Sequence, residues 1–131
     1  MDERRSIGEV LLALRLSVLL VMLVWTLDKF VNPGHAAGVY ANFYSIRGLG
    51  PGVMYAIGGV ELLVLAGFAV GVRKRLTYGA VLVLHAVSTL SSYRHYLAPF
   101  QNLLFFAAWP MLAACFALYR LRDLDTAWTV E

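Results

Sequence analysis

Cysteine and charged residues are scarce in this chain of 131 residues, and both shortages limit the classes of function that it can have. The single cysteine, Cys115, has no partner in the chain, whereas thiol–disulfide relay chemistry needs an attacking and a resolving thiol. A disulfide-generating enzyme is therefore excluded unless another protein supplies the second thiol, and Cys115 is interpreted as a small core residue. Charged residues make up only 15% of the chain and apolar residues 60%, with a mean hydropathy of +0.70.

Motifs for metal, haem or nucleotide binding are also missing. The three histidines form no His-x-x-His or Glu-x-x-His pattern on a helix. His85 and His95 would lie about 15 Å apart on one helix, too far to share a metal ion. There is no phosphate-binding glycine loop and no nucleophile–base motif. We expect no metal site, no haem and no nucleic-acid partner.

Long apolar stretches are what the chain has instead. Four of them, at 7–27, 52–72, 76–93 and 100–121, have about the 20 residues that an α-helix needs to cross a bilayer. The third is the weakest, because four serine and threonine residues dilute its second half. The predicted fold is an all-α membrane protein, a bundle of four transmembrane helices forming one domain over 1–131.

Three ionisable residues interrupt these stretches: Arg15, Glu61 and His85. A charge in hydrocarbon is costly unless it is paired or hydrated, so each marks a candidate catalytic or pairing site. Glu61 and His85 fall at the same predicted depth, and an ion pair of Arg15 with Glu61 is geometrically allowed. Glu61 is a candidate proton acceptor and His85 a candidate proton relay. The alternative is that all three only lock helix packing.

The segment 31–52 is the one long stretch that does not span. Its glycines and prolines alternate with aromatic residues, which favour the membrane interface. We expect a short interfacial helix from about Gly34 to Ile46. It would act as a lid over the helix ends or as one wall of a pocket.

Polar residues cluster where the first loop, the third helix and the fourth helix meet. Ordinary interfacial anchoring explains such residues, but they also suit a quinone head group, which needs hydrogen-bond donors and aromatic rings. The candidate quinone-binding residues are Asp28, Lys29, Tyr44, His95, Gln101 and Asn102. His35, Trp25, Tyr40, Phe43 and Tyr93 lie in or near the same cluster.

Basic residues are distributed unevenly between the two sides of the predicted bundle. Seven flank one side, at 4, 5, 73, 74, 75, 120 and 122, and three flank the other, at 29, 47 and 94. The positive-inside rule then places both termini in the cytoplasm and the 28–51 segment outside. We expect a multi-pass protein of a bacterial inner membrane.

The order of these residues resembles the DoxX family of small four-helix membrane proteins, over roughly 11–121. Leu14-Arg15-Leu16 is followed by Asp28-Lys29-Phe30-Val31-Asn32-Pro33, then by Glu61-Leu62-Leu63-Val64-Leu65-Ala66-Gly67, a basic turn, and Gln101-Asn102-Leu103-Leu104. The chain departs from the family at Thr26, where the family carries glycine. The resemblance implies a four-helix bundle and, in some relatives, a small subunit of a quinone-reducing enzyme.

Two functions remain open. The chain is either a quinone-interacting redox subunit, inactive alone and supplied with electrons by a partner protein, or a non-enzymatic scaffold or anchor for a partner complex. Gly67 and Gly71 form a Gly-x-x-x-Gly pair, which permits close helix contact. We favour packing within one chain as its role, with contact between copies in a homo-oligomer as the alternative.

Overall fold

The computed structural model describes residues 3–131, and this part of the chain contains helices and no strand. Its α-helices are α1 Glu3–Val31, α2 Pro33–Phe43, α3 Pro51–Val70, α4 Lys74–Ser91, α5 Tyr93–Tyr96 and α6 Ala108–Arg120. Short 3-10 helices occupy Pro99–Gln101, Leu103–Ala107 and Arg122–Leu124. The expected all-α class is confirmed, and the helix expected at 34–46 is α2.

Three helical segments are long and apolar enough to cross a membrane: α1, α3 and the continuous stretch Leu103–Arg120. The first five residues of that stretch, Leu103–Ala107, are 3-10 rather than α, and the α-helix begins at Ala108. The segment expected as the third span is the helix α4, but it is more polar than the other three. A fourth span at α4 therefore stays a prediction.

The four long helices form a ring. α1 packs against α3 and α6, and α4 packs against the same two helices from the opposite side. α2 lies across α1 and α3 at one end. The buried apolar side chains between them are Leu11, Val18, Met22, Leu65, Phe68, Tyr78, Val81, Cys115 and Leu118.

Many polar residues lie inside the ring of helices, and many apolar residues lie on its outer surface. The buried polar residues are Arg15, Thr26, Lys29, Thr77, His85, Thr89, Ser92 and Asp125. Large apolar side chains instead cover the outside of the ring, as at Leu20, Leu63 and Leu104. An apolar exterior around a polar interior is the arrangement that a bilayer stabilises, because lipid replaces water around the helices.

The glycines of the Gly-x-x-x-Gly pair both face other parts of the same chain. A Cβ atom added to Gly67 would lie 2.7 Å from Cγ2 of Thr77 on α4. Gly71 ends α3 in the left-handed conformation, with φ 69°, and Thr129 approaches it equally closely. These contacts account for the pair within one chain, and a homo-oligomer stays a prediction.

Candidate functional site

A large cleft opens at the end of the ring covered by α2. Its volume is about 1430 Å³, and its walls come from α1, α2, α4 and the stretch Leu103–Arg120, with Glu61 contributed by α3. Apolar and aromatic side chains form most of the wall, including those of Trp25, Phe43, Tyr44 and Phe105. The cleft is thus large enough for a flat, drug-sized molecule and apolar enough to hold one.

A buried ion pair forms part of this wall. Nζ of Lys29 on α1 lies 2.9 Å from Oε1 of Glu61 on α3, and both side chains are nearly enclosed. Thr26, one turn before Lys29, donates its hydroxyl to the same carboxylate oxygen over 3.3 Å. All three residues line the cleft.

His85 closes the cleft on the α4 side and is completely buried. Its Nε2 atom lies 3.0 Å from the carbonyl oxygen of Ala108, and its ring stacks on Trp25 with centroids 6.1 Å apart. A carbonyl oxygen only accepts, so Nε2 must carry the proton and Nδ1 of the neutral ring is an acceptor. Nδ1 has no hydrogen-bond partner among the described residues.

The mouth of the cleft carries a second polar pair and two tyrosines. Nδ1 of His35 lies 2.6 Å from Oδ2 of Asp28, and both residues line the cleft. Tyr40 meets Tyr44 edge to face, with centroids 5.0 Å apart. Burial, followed by the negative charge of Glu61, raises the pKa of Tyr40 from 10.0 to about 12. Tyr40 therefore keeps its proton at physiological pH and stays a hydrogen-bond donor.

The structure does not form the Arg15–Glu61 ion pair that the sequence allowed. Arg15 instead binds Asp125, with Nη1 and Oδ1 2.5 Å apart, and neither side chain is accessible to solvent. The reason is depth: Arg15 and Lys29 are fourteen residues apart on α1, roughly 21 Å along the axis. Glu61 lies beside Lys29, so Arg15 cannot reach it. Glu61 and His85 do lie at a similar level, since they contact the adjacent residues Thr26 and Trp25 of α1.

The expected quinone-binding residues divide into two groups. Asp28, Lys29 and Tyr44 line the cleft, whereas His95, Gln101 and Asn102 do not. His95 lies behind the wall, stacked 4.2 Å from the ring of Phe105, which does line it. The side-chain amide of Asn102 donates to the carbonyl of Ala98 over 3.0 Å, so it stabilises its own turn.

Sequence reasoning missed the partners of Arg15. The Asp125 carboxylate also accepts a hydrogen bond of 2.6 Å from the hydroxyl of Tyr78 on α4. The carbonyl of Ala127 accepts a second bond from Arg15 over 2.6 Å. One feature of the sequence could have indicated these partners. Arg15 lies near the end of the bundle at which the acidic segment after α6 begins, so a carboxylate of that segment is within its reach.

The chain matches no protein-family model, no curated protein and no solved structure.

Proposed function

We propose that the chain is a membrane subunit that binds a quinone in the cleft and works with a partner protein that supplies the electrons. The observation that carries this proposal is the buried Lys29–Glu61 ion pair in the wall of an otherwise apolar cavity. An enclosed charge pair next to apolar space is costly, and such pairs commonly mark ligand or proton sites in membrane proteins.

The cleft offers what a quinone head group needs. Lys29 and the neutral hydroxyl of Tyr40, which both line the cleft, are donors for a carbonyl oxygen. Trp25 and Phe105 present rings against which a flat head group can stack. Val31 and Leu104 are exposed apolar residues beside the cleft. The isoprenoid tail of a bound quinone would pass over them into the lipid.

A quinone bound here would take up two electrons and two protons when it is reduced. Both protons would come from solvent: the His35–Asp28 pair at the mouth would take them up, and Glu61 would pass them on to the quinone. Electrons have to come from a partner, since the only cysteine is buried and no redox motif occurs in the sequence. This is why the subunit is not proposed to be active alone.

A scaffold or anchor is the second candidate function. The partners of Arg15 favour this function. Arg15 is fully buried and binds an aspartate and a backbone carbonyl of its own chain, so its charge stabilises the fold. If the Lys29–Glu61 pair serves the same purpose, the cleft would hold only lipid.

We place this subunit in a bacterial inner membrane, as a DoxX-like protein with four spans and both termini in the cytoplasm. Support for the fourth span comes from α4 itself. Its polar residues Thr77, His85 and Thr89 are buried, while its exposed residues from 83 to 90 are valine and leucine. Eighteen residues of helix extend about 27 Å, close to the thickness of the hydrocarbon.

The test is to fill the cleft without changing its charges. Val39 lines the cleft on α2, and Val60 lies on the exposed face of α3. We expect Val39→Phe to weaken binding of a short-chain ubiquinone at least tenfold, and Val60→Phe to bind like the unmodified protein. Native mass spectrometry of protein in mild detergent measures the affinities, and thermal unfolding checks that both variants are folded.

Glu61→Gln then tests the ion pair. Loss of quinone binding in this variant, with the helical circular dichroism retained, is the expected result. Equal quinone binding by the Val39→Phe and Val60→Phe variants would refute the cleft as the site. Absence of binding to the unmodified protein would favour the scaffold function.

A further inference from the structure

A second cavity lies at the opposite end of the bundle from the cleft. It has a volume of about 560 Å³ and sits where α3 ends, α4 begins and the chain leaves α6. We call it the basic pocket, and its lining residues are Arg73, Lys74, Arg75, Leu76, Arg122, Asp123, Thr126 and Glu131. It shares no residue with the cleft, so an inference from it stands apart from the quinone proposal.

The basic pocket has four cationic side chains, those of Arg73, Lys74, Arg75 and Arg122. None of them forms an ion pair with a carboxylate of the described residues. Nζ of Lys74 donates to the carbonyl oxygen of Asp125 over 2.6 Å, and Arg122 donates to the carbonyl oxygen of Tyr119 over 2.8 Å. These neutral acceptors hold the two side chains in place without cancelling their charge. Arg75 is exposed and makes no hydrogen bond within the described chain.

An anion of the chain itself already occupies part of this pocket. The backbone N–H of Arg73, at the start of α4, donates to the side-chain carboxylate of Glu131. Glu131 is exposed, so a stronger anion can displace it without opening the core. This carboxylate shows that the pocket can bind an anionic group. Two further features, a volume of about 560 Å³ and three arginines, suit a larger anion with several oxygens.

We propose that the basic pocket binds a phosphate group, namely that of an anionic lipid head group, in competition with Glu131. Arginine binds phosphate oxygens in pairs, and basic pockets between helices at a membrane surface recognise such head groups. Apolar side chains lie exposed next to the cations, with Leu76 in the pocket itself and Leu124 and Trp128 on the adjoining segment. They provide a surface for the acyl chains of a lipid whose phosphate is held by the arginines.

The experiment measures lipid binding by native mass spectrometry of the whole chain in mild detergent. The probes are phosphatidylglycerol, the zwitterionic phosphatidylcholine and inorganic phosphate. We expect phosphatidylglycerol to bind more tightly than phosphatidylcholine, and Arg75→Gln to weaken its binding about fivefold, the contribution typical of one cation at an anionic surface. Glu131→Gln, which removes the competing charge, should bind it more tightly than the unmodified protein.

Arg47→Gln is the matched control. Arg47 is likewise exposed and without a partner in the described chain, but it belongs to the 44–50 loop and not to the pocket. It should bind phosphatidylglycerol like the unmodified protein. Equal losses in Arg47→Gln and Arg75→Gln, or no loss in Arg75→Gln, would overturn the site. If inorganic phosphate at equal concentration displaces phosphatidylglycerol, the pocket binds phosphate, but the proposal that a lipid head group provides that phosphate is rejected.

Discussion

Arg15 and Asp125 are separated by 110 residues and form an ion pair that is almost completely inaccessible to solvent. Through this pair the segment that follows α6 returns to the interior of the bundle and contacts α1. The carbonyls of Ala127 and Trp128 also accept hydrogen bonds from Arg15, and the amide of Val130 donates to the carbonyl of Val70. The segment 125–131 is thus part of the helical domain rather than an appendage.

Replacing Asp125 by asparagine should destabilise the protein by about 3–5 kcal/mol, because the buried charge of Arg15 loses its partner. Chemical denaturation in detergent, followed by circular dichroism, measures the loss. Asp123→Asn is the control, since Asp123 is exposed and forms no ion pair within residues 3–131. Equal stability of the two variants would show that the pair does not hold the segment in place.

Gly67→Ala should destabilise the protein by about 1–3 kcal/mol, because the new methyl group would overlap the β-branched side chain of Thr77. Gly59 lies in the same helix, and a Cβ atom there meets nothing within 4 Å. Gly59→Ala should therefore be neutral, or stabilising by up to about 1 kcal/mol through helix propensity. Thermal unfolding of the two variants in the same detergent checks the difference, and a reversed order would contradict the close contact of α3 with α4.

The proposed topology, with four spans and both termini in the cytoplasm, predicts which residues can be labelled from each side of the membrane. In a Cys115→Ala background, single cysteines at Asn42 and Leu97 should react with a membrane-impermeant maleimide in intact cells. A cysteine at Thr126 should react only after the membrane is permeabilised. Leu97 decides the status of α4, because only the short helix α5 lies between that helix and Leu97. A Leu97 site protected in intact cells, with the Asn42 site reactive, would mean that α4 does not cross.

Tyr40 should make stability fall at high pH. Its pKa is raised from 10.0 to about 12 in the folded protein, so above pH 10 the unfolded chain loses this proton first. The unfolded state then binds fewer protons than the folded state, and the free energy of unfolding decreases as pH rises from about 10 to about 12. In Tyr40→Phe this decrease should be smaller, as measured by denaturation at a series of pH values. An unchanged slope would contradict the burial of the Tyr40 hydroxyl.

The helices were more predictable than the contacts between them. The stretches expected at 7–27 and 52–72 lie within α1 and largely within α3, because apolar length alone favours a helix that can span. The helix expected from Gly34 to Ile46 ends three residues early, at Phe43. Lys29 and Glu61 were both singled out, but not as partners, because their contact depends on how α1 and α3 are aligned.

What the sequence determined by itself is the set of apolar helices and the presence of a few ionisable residues inside them. Both can be identified from the composition of a short stretch of sequence, without knowing which helices lie beside it. Only the tertiary structure decided the pairings: Arg15 with Asp125, Lys29 with Glu61, and Glu131 with the start of α4. A buried charge selects a partner by distance in space, and that distance is set by the order and depth of the packed helices.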